Sequence, residues 1–385
     1  MPAASTSTIT HPLPGYSRIP NCVGGVAAMI LMAGASACAP ATMIVPLLDR
    51  PPVLDAVDLT GTRVGASIVW SLPADAHDRE ALTAWRRGVG PPVVAGPAAT
   101  TGTSHDALAI VTWNTHAGRG DLRRFLTTLR SGALTHGVPV THFVLLLQEV
   151  IRRASVLPTR GGLAPRAAGP GDGTRQDILQ IAAEEGLHLF YAPSRPEGGE
   201  TIRGASEDRG NGMLSTLPLR RLRAFELPFE RQRRVALAAT VAVQTQTGRV
   251  WAMDLVDVHL ENRAGERRLW LRSAAARTRQ AAALLEALPQ DDPLVIGGDL
   301  NTWSGIDTLL RLFRHHGLAP LEDDPRPTFR RGGRLDHILA RVPPSIVGHT
   351  RRLDDRFESD HYPVLACLHL GAIGQALSPG WRPER

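Results

Sequence analysis

The residues best placed to do chemistry lie in LVIGGDLNTW, from Leu294 to Trp303. Apolar and small residues run up to two glycines and then a carboxylate, as a buried strand ends when its last side chain must point into a site. A period of two puts Asp299 and Asn301 on one face of an extended chain. The carboxylate can take a proton or hold a water and a hard cation, while the uncharged carboxamide can donate to a phosphoryl oxygen without neutralising its neighbour. The pair therefore suits a phosphate and a metal ion. Gly-Asp-x-Asn is also an ordinary strand-to-turn exit, so the pair needs support from elsewhere in the chain.

Further polar groups sit at similar places. Asn114 follows IVTW, Glu149 follows FVLLLQ, His259 closes WAMDLVDVH, Asp336 opens DHILA, and Asp360 with His361 precedes YPVLACLHL. Singly, each has a bland reading: a Glu after an apolar run starts a loop, and a His is a satisfied core residue. Their order is more informative. WNTH (113–116), LLQEV (146–150), GNGMLS (210–215), VHLEN (258–262), GGDLNTW, RLDHI (334–338) and SDHYPV (359–364) together resemble the endonuclease/exonuclease/phosphatase superfamily. The resemblance runs from about Ala107 to Gly371, roughly two thirds of the chain.

That resemblance implies a four-layered α/β sandwich, two packed mixed sheets with helices outside. It also implies divalent-metal-dependent cleavage of a phosphoester by in-line attack of water, with no covalent enzyme intermediate. Glu149 is then the principal Mg²⁺ ligand, with Asn114 beside it and Asp360 completing the outer shell; Mn²⁺ can take the place of Mg²⁺. His361 faces the phosphoryl group, oriented and made more basic by Asp336. Asn301 and His259 hold phosphate oxygens, and either Asp299 or His361 deprotonates the water. Asn211 and Arg334 are expected to touch substrate.

Two departures narrow the branch. Abasic-site endonucleases usually carry Asp where this chain has His116, and Tyr where it has His259. The His pattern belongs to the deoxyribonuclease and sphingomyelinase side. No DNA-intercalating loop and no membrane-inserting aromatic hairpin is identified.

The elements that must position these groups follow from periodicity. After a linker at Ala98 to Ser104, apolar runs such as ALAIVTW alternate with amphipathic helices at Asp121–Leu134, Thr174–Glu185, Glu266–Leu288 and Ile306–His316. VALAATVAV and WAMDLVDVHL are strands close in sequence, which favours mixed over purely parallel sheets. Thr159 to Arg175 is Arg- and Gly-rich and reads as a surface loop. The main domain is expected over 106–371, with an extension and linker over 38–105 and a tail over 372–385.

Upstream, Arg18 without an acid, the apolar run Val23–Gly34 and the small residues Ala35-Ser36-Ala37 form a signal-peptide pattern over 1–37. Cys38 stands where a bacterial lipoprotein would be acylated, although Ala35 replaces the usual Leu; plain cleavage is the alternative. The expected location is outside the cytoplasm, periplasmic or membrane-anchored through Cys38. Cys22, Cys38 and Cys367 are too scattered for a disulfide framework or a zinc site, and Cys367 reads as core.

All 43 basic residues are Arg, and the net charge is +6. This describes either a solvated Arg-rich surface or attraction to an anionic partner. The leading reading is a monomeric, exported, nuclease-like phosphodiesterase, with Arg231, Arg233, Arg234 and Arg330, Arg331, Arg334 pairing with substrate phosphates, those of a nucleic acid in this reading. The alternatives are a sphingomyelinase or phospholipase C-like enzyme or a small-phosphoester phosphatase, and, from another class, a non-catalytic binding protein that has kept the fold.

Overall fold

The computed structural model describes residues 43–46, 56–59, 62–65, 68–97, 104–153, 175–197, 207–262, 270–290, 293–303, 308–321 and 324–371. The expected signal segment, Cys38, nearly all of the expected loop 159–175 and the tail 372–385 lie outside the described residues.

The first elements in chain order are β1 (Ile44–Pro46), β2 (Ala56–Val57), β3 (Arg63–Val64), β4 (Val69–Pro73), α1 (Ala76–Arg86) and β5 (Val93–Ala95). Next come β6 (Ala107–Asn114), α2 (Leu122–Arg130), β7 (Phe143–Arg153), α3 (Ile178–Glu184), β8 (His188–Pro196) and β9 (Glu207–Ser215). Then follow β10 (Arg220–Glu226), β11 (Val235–Gln244), β12 (Val250–His259), α4 (Trp270–Ala287) and β13 (Leu294–Asp299). The last are α5 (Thr308–His315), β14 (Asp336–Arg341), β15 (Val347–Arg352) and β16 (Val364–His369).

The strands form two mixed sheets. One has the order β1-β4-β10-β11-β12-β13-β14, the other β15-β16-β6-β7-β9-β8-β5-β2-β3. Pairs β10·β4, β12·β13 and β6·β7 are parallel, whereas hairpins such as β11·β12 are antiparallel.

The period-two rule assigns each strand face to a layer. In β6, Leu108 and Ile110 enter the core between the sheets, while Ala109, Val111 and Trp113 pack under the helices. In β7 the division is Val144 and Leu146 against Phe143, Leu145 and Leu147. Because both faces are covered, these strands read as continuous apolar runs. Phe125 and Leu129 of α2 and Ile181 of α3 cover the second sheet; Leu284 of α4 and Phe313 of α5 cover the first. The result is the expected four-layered α/β/β/α sandwich.

Aspartates start the helices. Asp75, Asp121 and Asp177 cap α1, α2 and α3 by accepting from the backbone N–H of Asp78, Arg124 and Leu179.

The described part of 38–105 is not an appendage. Strand β4 extends the first sheet beside β10, and β5 extends the second beside β8. Short strands separated by Pro and Gly hide this in the sequence, since a strand of two or three residues carries almost no periodic signal. A buried carboxylate locks the segment in. Glu226 Oε1 accepts from Trp70 Nε1 (2.9 Å), Arg86 Nε (3.0 Å) and Arg233 Nη2 (3.0 Å). Removing one partner of a buried ion pair leaves the others uncompensated, at a cost of about 3–5 kcal/mol. Glu226→Ala should therefore lower urea-unfolding stability by that order at an unchanged m-value, and a loss below about 1 kcal/mol would show that the network does not hold the segment.

Candidate active site

Three strands of the first sheet end at the same rim. His259 closes β12, Asp299 closes β13 and Asp336 opens β14, and the register places them in one row, His259 opposite Asp299 and Asp299 opposite Asp336. The second sheet brings Asn114 at the end of β6 and His361 just ahead of β16. The two glycines before Asp299 permit this approach. A Cβ on Gly298 would fall 1.9 Å from Val258 O of the adjoining strand, and one on Gly297 would fall 2.7 Å from Leu146 Cδ1 of the facing sheet.

The row is knitted by short contacts. His361 Nδ1 donates to Asp336 Oδ2 at 2.7 Å, and its Nε2 lies 3.9 Å from both Asp299 Oδ2 and Asp360 Oδ1. Asn114 Nδ2 donates to Asp299 Oδ2 at 3.0 Å, and His259 Nε2 lies 3.5 Å from the same oxygen. Ser359 Oγ donates to Asn114 O and accepts from His361 N, while Trp113 Nε1 donates to His361 O. The loop carrying His361 is thus fastened to the end of β6.

Burial and charge set the protonation. Burial, then the charge of Asp336, pushes the Asp299 carboxyl up to about 7 against the opposing pull of His361 and Asn114. Burial alone would depress His361, but the charge and hydrogen bond of Asp336, with Asp299 and Asp360 behind them, lift it to about 10. Burial, then the nearby Arg234 guanidinium, keeps His259 well below the usual imidazole range, hence neutral.

Several expectations are corrected. Asn301 does not share a strand face with Asp299, because β13 stops at Asp299 and Asn301 turns the chain at φ 53°. Its N–H donates to Asp299 Oδ1 and its Nδ2 to Leu260 O, both at 3.0 Å, so it shapes the carboxylate's exit from the strand. Glu149 does not end a strand either. Strand β7 runs on to Arg153, and Glu149 sits at φ 57° in a bulge against β9. Arg233, expected in a phosphate-pairing cluster, donates instead to Glu226 and to Pro193 O. Arg334, expected to touch substrate, also accepts from Thr302 Oγ1 at 2.7 Å through its main-chain carbonyl, a contact that leaves that expectation standing.

Glu149 faces a cation. Its Oε2 accepts from Arg209 Nη1 at 2.5 Å, and Arg209 Nε lies 3.0 Å from Glu197. This ion pair was not legible in the sequence, because Arg209 faces Glu149 only through the pairing of β9 with β7. Glu149, Arg209, Asn211, Arg234 and His259 line one polar pocket of about 90 Å³. Among the described residues, Asn211 Nδ2 and Arg234 Nε are buried there without a hydrogen-bond partner, and Arg234 Nη2 lies 3.7 Å from Glu261 Oε1, beyond hydrogen-bond distance. Asp360 borders a separate open cleft, where His116 Nδ1 lies 3.6 Å from it. Asp299, Asp336 and His361 offer ligand atoms within 4.8 Å of one another, a buried group that can hold a metal ion.

The sequence pattern of the Endonuclease/Exonuclease/phosphatase family matches residues 111–361. The chain belongs to that family. Its fold is similar to the endonuclease/exonuclease/phosphatase from Beutenbergia cavernae DSM 12333, with 22% identity, a TM-score of 0.50, and coverage of 69% of this chain and 72% of that one. Lesser likenesses include sphingomyelinase C from Streptomyces griseocarneus (18% identity, TM-score 0.44, 68% and 99% covered). Another is D. rerio TDP2 complexed with a single-stranded DNA product (17% identity, TM-score 0.42, 68% and 98% covered). Among curated protein sequences none matches the chain. Endonuclease/exonuclease/phosphatase family membership carries the class of chemistry, phosphoester hydrolysis, and the row of ionisable groups supplies means for it.

The protonation pattern has a thermodynamic signature. His361 is raised from 6.5 to about 10, so its contribution is fully present below about pH 6.5 and is lost as pH rises through about 10. Asp299 is raised from 3.8 to about 7, so the folded state prefers its acid form and loses that advantage as pH climbs from about 4 to 7. In EDTA, urea-unfolding stability should fall steadily from pH 5 to 10, and His361→Gln should flatten the decline between pH 7 and 10. An unchanged slope in the variant would refute the assignment.

Proposed function

We propose that this family member is a divalent-metal-dependent phosphodiesterase of the nuclease kind, in which water attacks phosphorus directly. The observation that carries the reading is the division of labour between Asp299 and His361. A general base works best with its pKa near the working pH, and burial beside Asp336 moves Asp299 to about 7. His361, held protonated by Asp336, is a cation and proton donor at neutral pH. Asp299 therefore takes the proton from the attacking water. His361 stabilises charge growing on the phosphoryl oxygens or protonates the leaving alkoxide. Asn114 keeps the reactive oxygen of Asp299 aimed, and Asn211 Nδ2 and Arg234 Nε, which line the Glu149 pocket without a hydrogen-bond partner among the described residues, are the donors that would meet phosphate oxygens.

The residues fit a hard cation. Glu149, Asn114 and Asp360 bring oxygen donors, and the Arg209 guanidinium against Glu149 marks a position where positive charge is already stabilised. We assign Mg²⁺ or Mn²⁺ to Glu149 with Asn114 beside it and Asp360 in the outer shell, as the family resemblance implies; the Asp299, Asp336 and His361 group becomes a ligand set only once His361 has lost its proton. When bound, such an ion polarises a phosphoryl oxygen as a Lewis acid. We also infer export, with Cys38 acylated, from the pattern of residues 1–38. Loss of membrane association on Cys38→Ser would support it, and an unchanged distribution would oppose it.

A panel of plasmid DNA, sphingomyelin liposomes and small phosphomonoesters, assayed with Mg²⁺ and with EDTA, tests the reading. DNA should be cleaved only with metal, and binding should weaken steeply with salt. Phosphocholine release without DNA cleavage would place the substrate among lipids instead. Asp299→Ala and His361→Ala should each lower kcat by about a hundredfold to a thousandfold with the fold retained. Glu149→Gln should first raise the Mg²⁺ concentration needed for half-maximal rate. Near-normal turnover by Asp299→Ala would exclude it as the base.

A further inference from the structure

Trp303 is 50% exposed, an uncommon state for so large an apolar side chain, and it stands four residues after Asp299. It is nevertheless held in place. Thr302 Oγ1, one residue earlier, donates to Arg334 O at 2.7 Å and lies 2.7 Å from His337 Nε2. The Trp303 ring meets Phe329 edge-on, with centroids 5.5 Å apart and planes at 80°. Phe329 in turn lies 5.0 Å from the His361 ring, and the two residues pair through an isolated β-bridge. Gly332 and Gly333, at φ 89° and 91°, fold the adjoining turn so closely that a Cβ on Gly333 would touch the Trp303 ring at 3.4 Å. An anchored aromatic ring, open to solvent on the flank of the reacting centre, results.

We propose that Trp303, backed by Phe329, is a stacking subsite for a nucleobase of the substrate. The proposal rests on the phosphodiesterase reading and narrows it to nucleotide-containing diesters. A ring of this kind suits any base, because every base offers a π-face. The neighbouring exposed residues of the turn are Arg330 and Arg331, which suit a phosphate chain running past the ring. A lipid surface would call for several exposed apolar side chains together. Among the described residues the other exposed large apolar side chains are scattered: Val69, Val250 and Val347 lie at strand ends opposite those that carry His259 and Asn114, and Met43 precedes β1, at the far edge of the first sheet from β13 and β14.

The test uses the full chain with Mg²⁺ and two phosphodiesters, a dinucleotide and ring-free glycerophosphocholine. Stacking in the ground state is uniform binding, so Trp303→Leu should raise KM for the dinucleotide roughly tenfold while kcat stays within about twofold. Trp303→Phe should restore most of the loss, and neither variant should change KM for glycerophosphocholine. Independently of turnover, the dinucleotide should quench tryptophan fluorescence in Asp299→Asn protein, and adding Trp303→Leu should remove that quench. Equal losses on both substrates, or a quench that survives in the Leu variant, would overturn the subsite. So would a Leu variant that loses binding to phosphatidylcholine vesicles but keeps its dinucleotide affinity. If no phosphodiester is hydrolysed, the functional reading fails, and the fluorescence titration still decides the subsite alone.

Discussion

Asp299 and Asp336 face each other across β13 and β14, so the rim of the sandwich must bury two carboxylates at adjoining positions. Two like charges in a poorly solvated site repel strongly, and the molecule answers in two ways. His361 is fixed against Asp336 as a cation, and Asp299 is moved toward its acid form. Much of the surrounding architecture follows from that constraint. Ser359 and Trp113 hold the His361 loop, the glycine pair lets β13 close on both neighbours, and the left-handed turn at Asn301 takes the chain away from Asp299.

The Glu149 side of the rim meets the same difficulty with guanidinium. Arg209 bridges Glu149 and Glu197, and the buried Arg234 leans on Glu261. A planar fork can satisfy two carboxylates at once where an ammonium acts as a point charge, which makes an all-Arg composition useful inside the protein. Arg152 with Asp208 and Arg233 with Glu226 show the same use in ion pairs that are almost wholly buried. Part of the basic charge is therefore neither a solvated surface nor a lure for anions; it is internal structure.

Legibility in the sequence tracked how local each feature is. The long strands, the helices with Asp caps and the ends of β6, β12 and β13 each carry their own periodicity or capping signal, and the motif order assembled them into the right layers. Asn114, His259, Asp299, Asp336 and His361 stand at or beside strand ends, so their meeting at one rim is legible for that reason. Features fixed by pairing between distant strands were not. The Glu149–Arg209 contact depends on a bulge where the register of β7 against β9 shifts, and no run of residues announces it. Strands β1, β2, β3 and β5 have only two or three residues, too few for a pattern, and Asn301 lies off the face of Asp299 because the period of two ends with β13 at Asp299.

The same dependence on register explains a polar group buried where apolar ones would pack. Asp257, two residues before His259, lies between the sheets and accepts from Gln148 Nε2 at 2.7 Å; Gln148 also donates to Thr112 Oγ1 at 3.0 Å. Burial pushes the Asp257 carboxyl well above the usual range, against the hydrogen bonds it accepts from Gln148 and from the Gly212 backbone. Apolar residues at 148 and 257 would fill the space and remove the desolvation cost. They would also tolerate a sliding contact between β7 and β12, whereas a buried hydrogen bond is satisfied in one alignment only. Gln148 immediately precedes Glu149, and Asp257 points to the same layer as His259 two residues on. Sliding one sheet over the other would break the Gln148–Asp257 hydrogen bond and move Glu149 and His259 apart. The polar contact behind the rim thus trades stability for the alignment that brings Glu149 and His259 to one pocket.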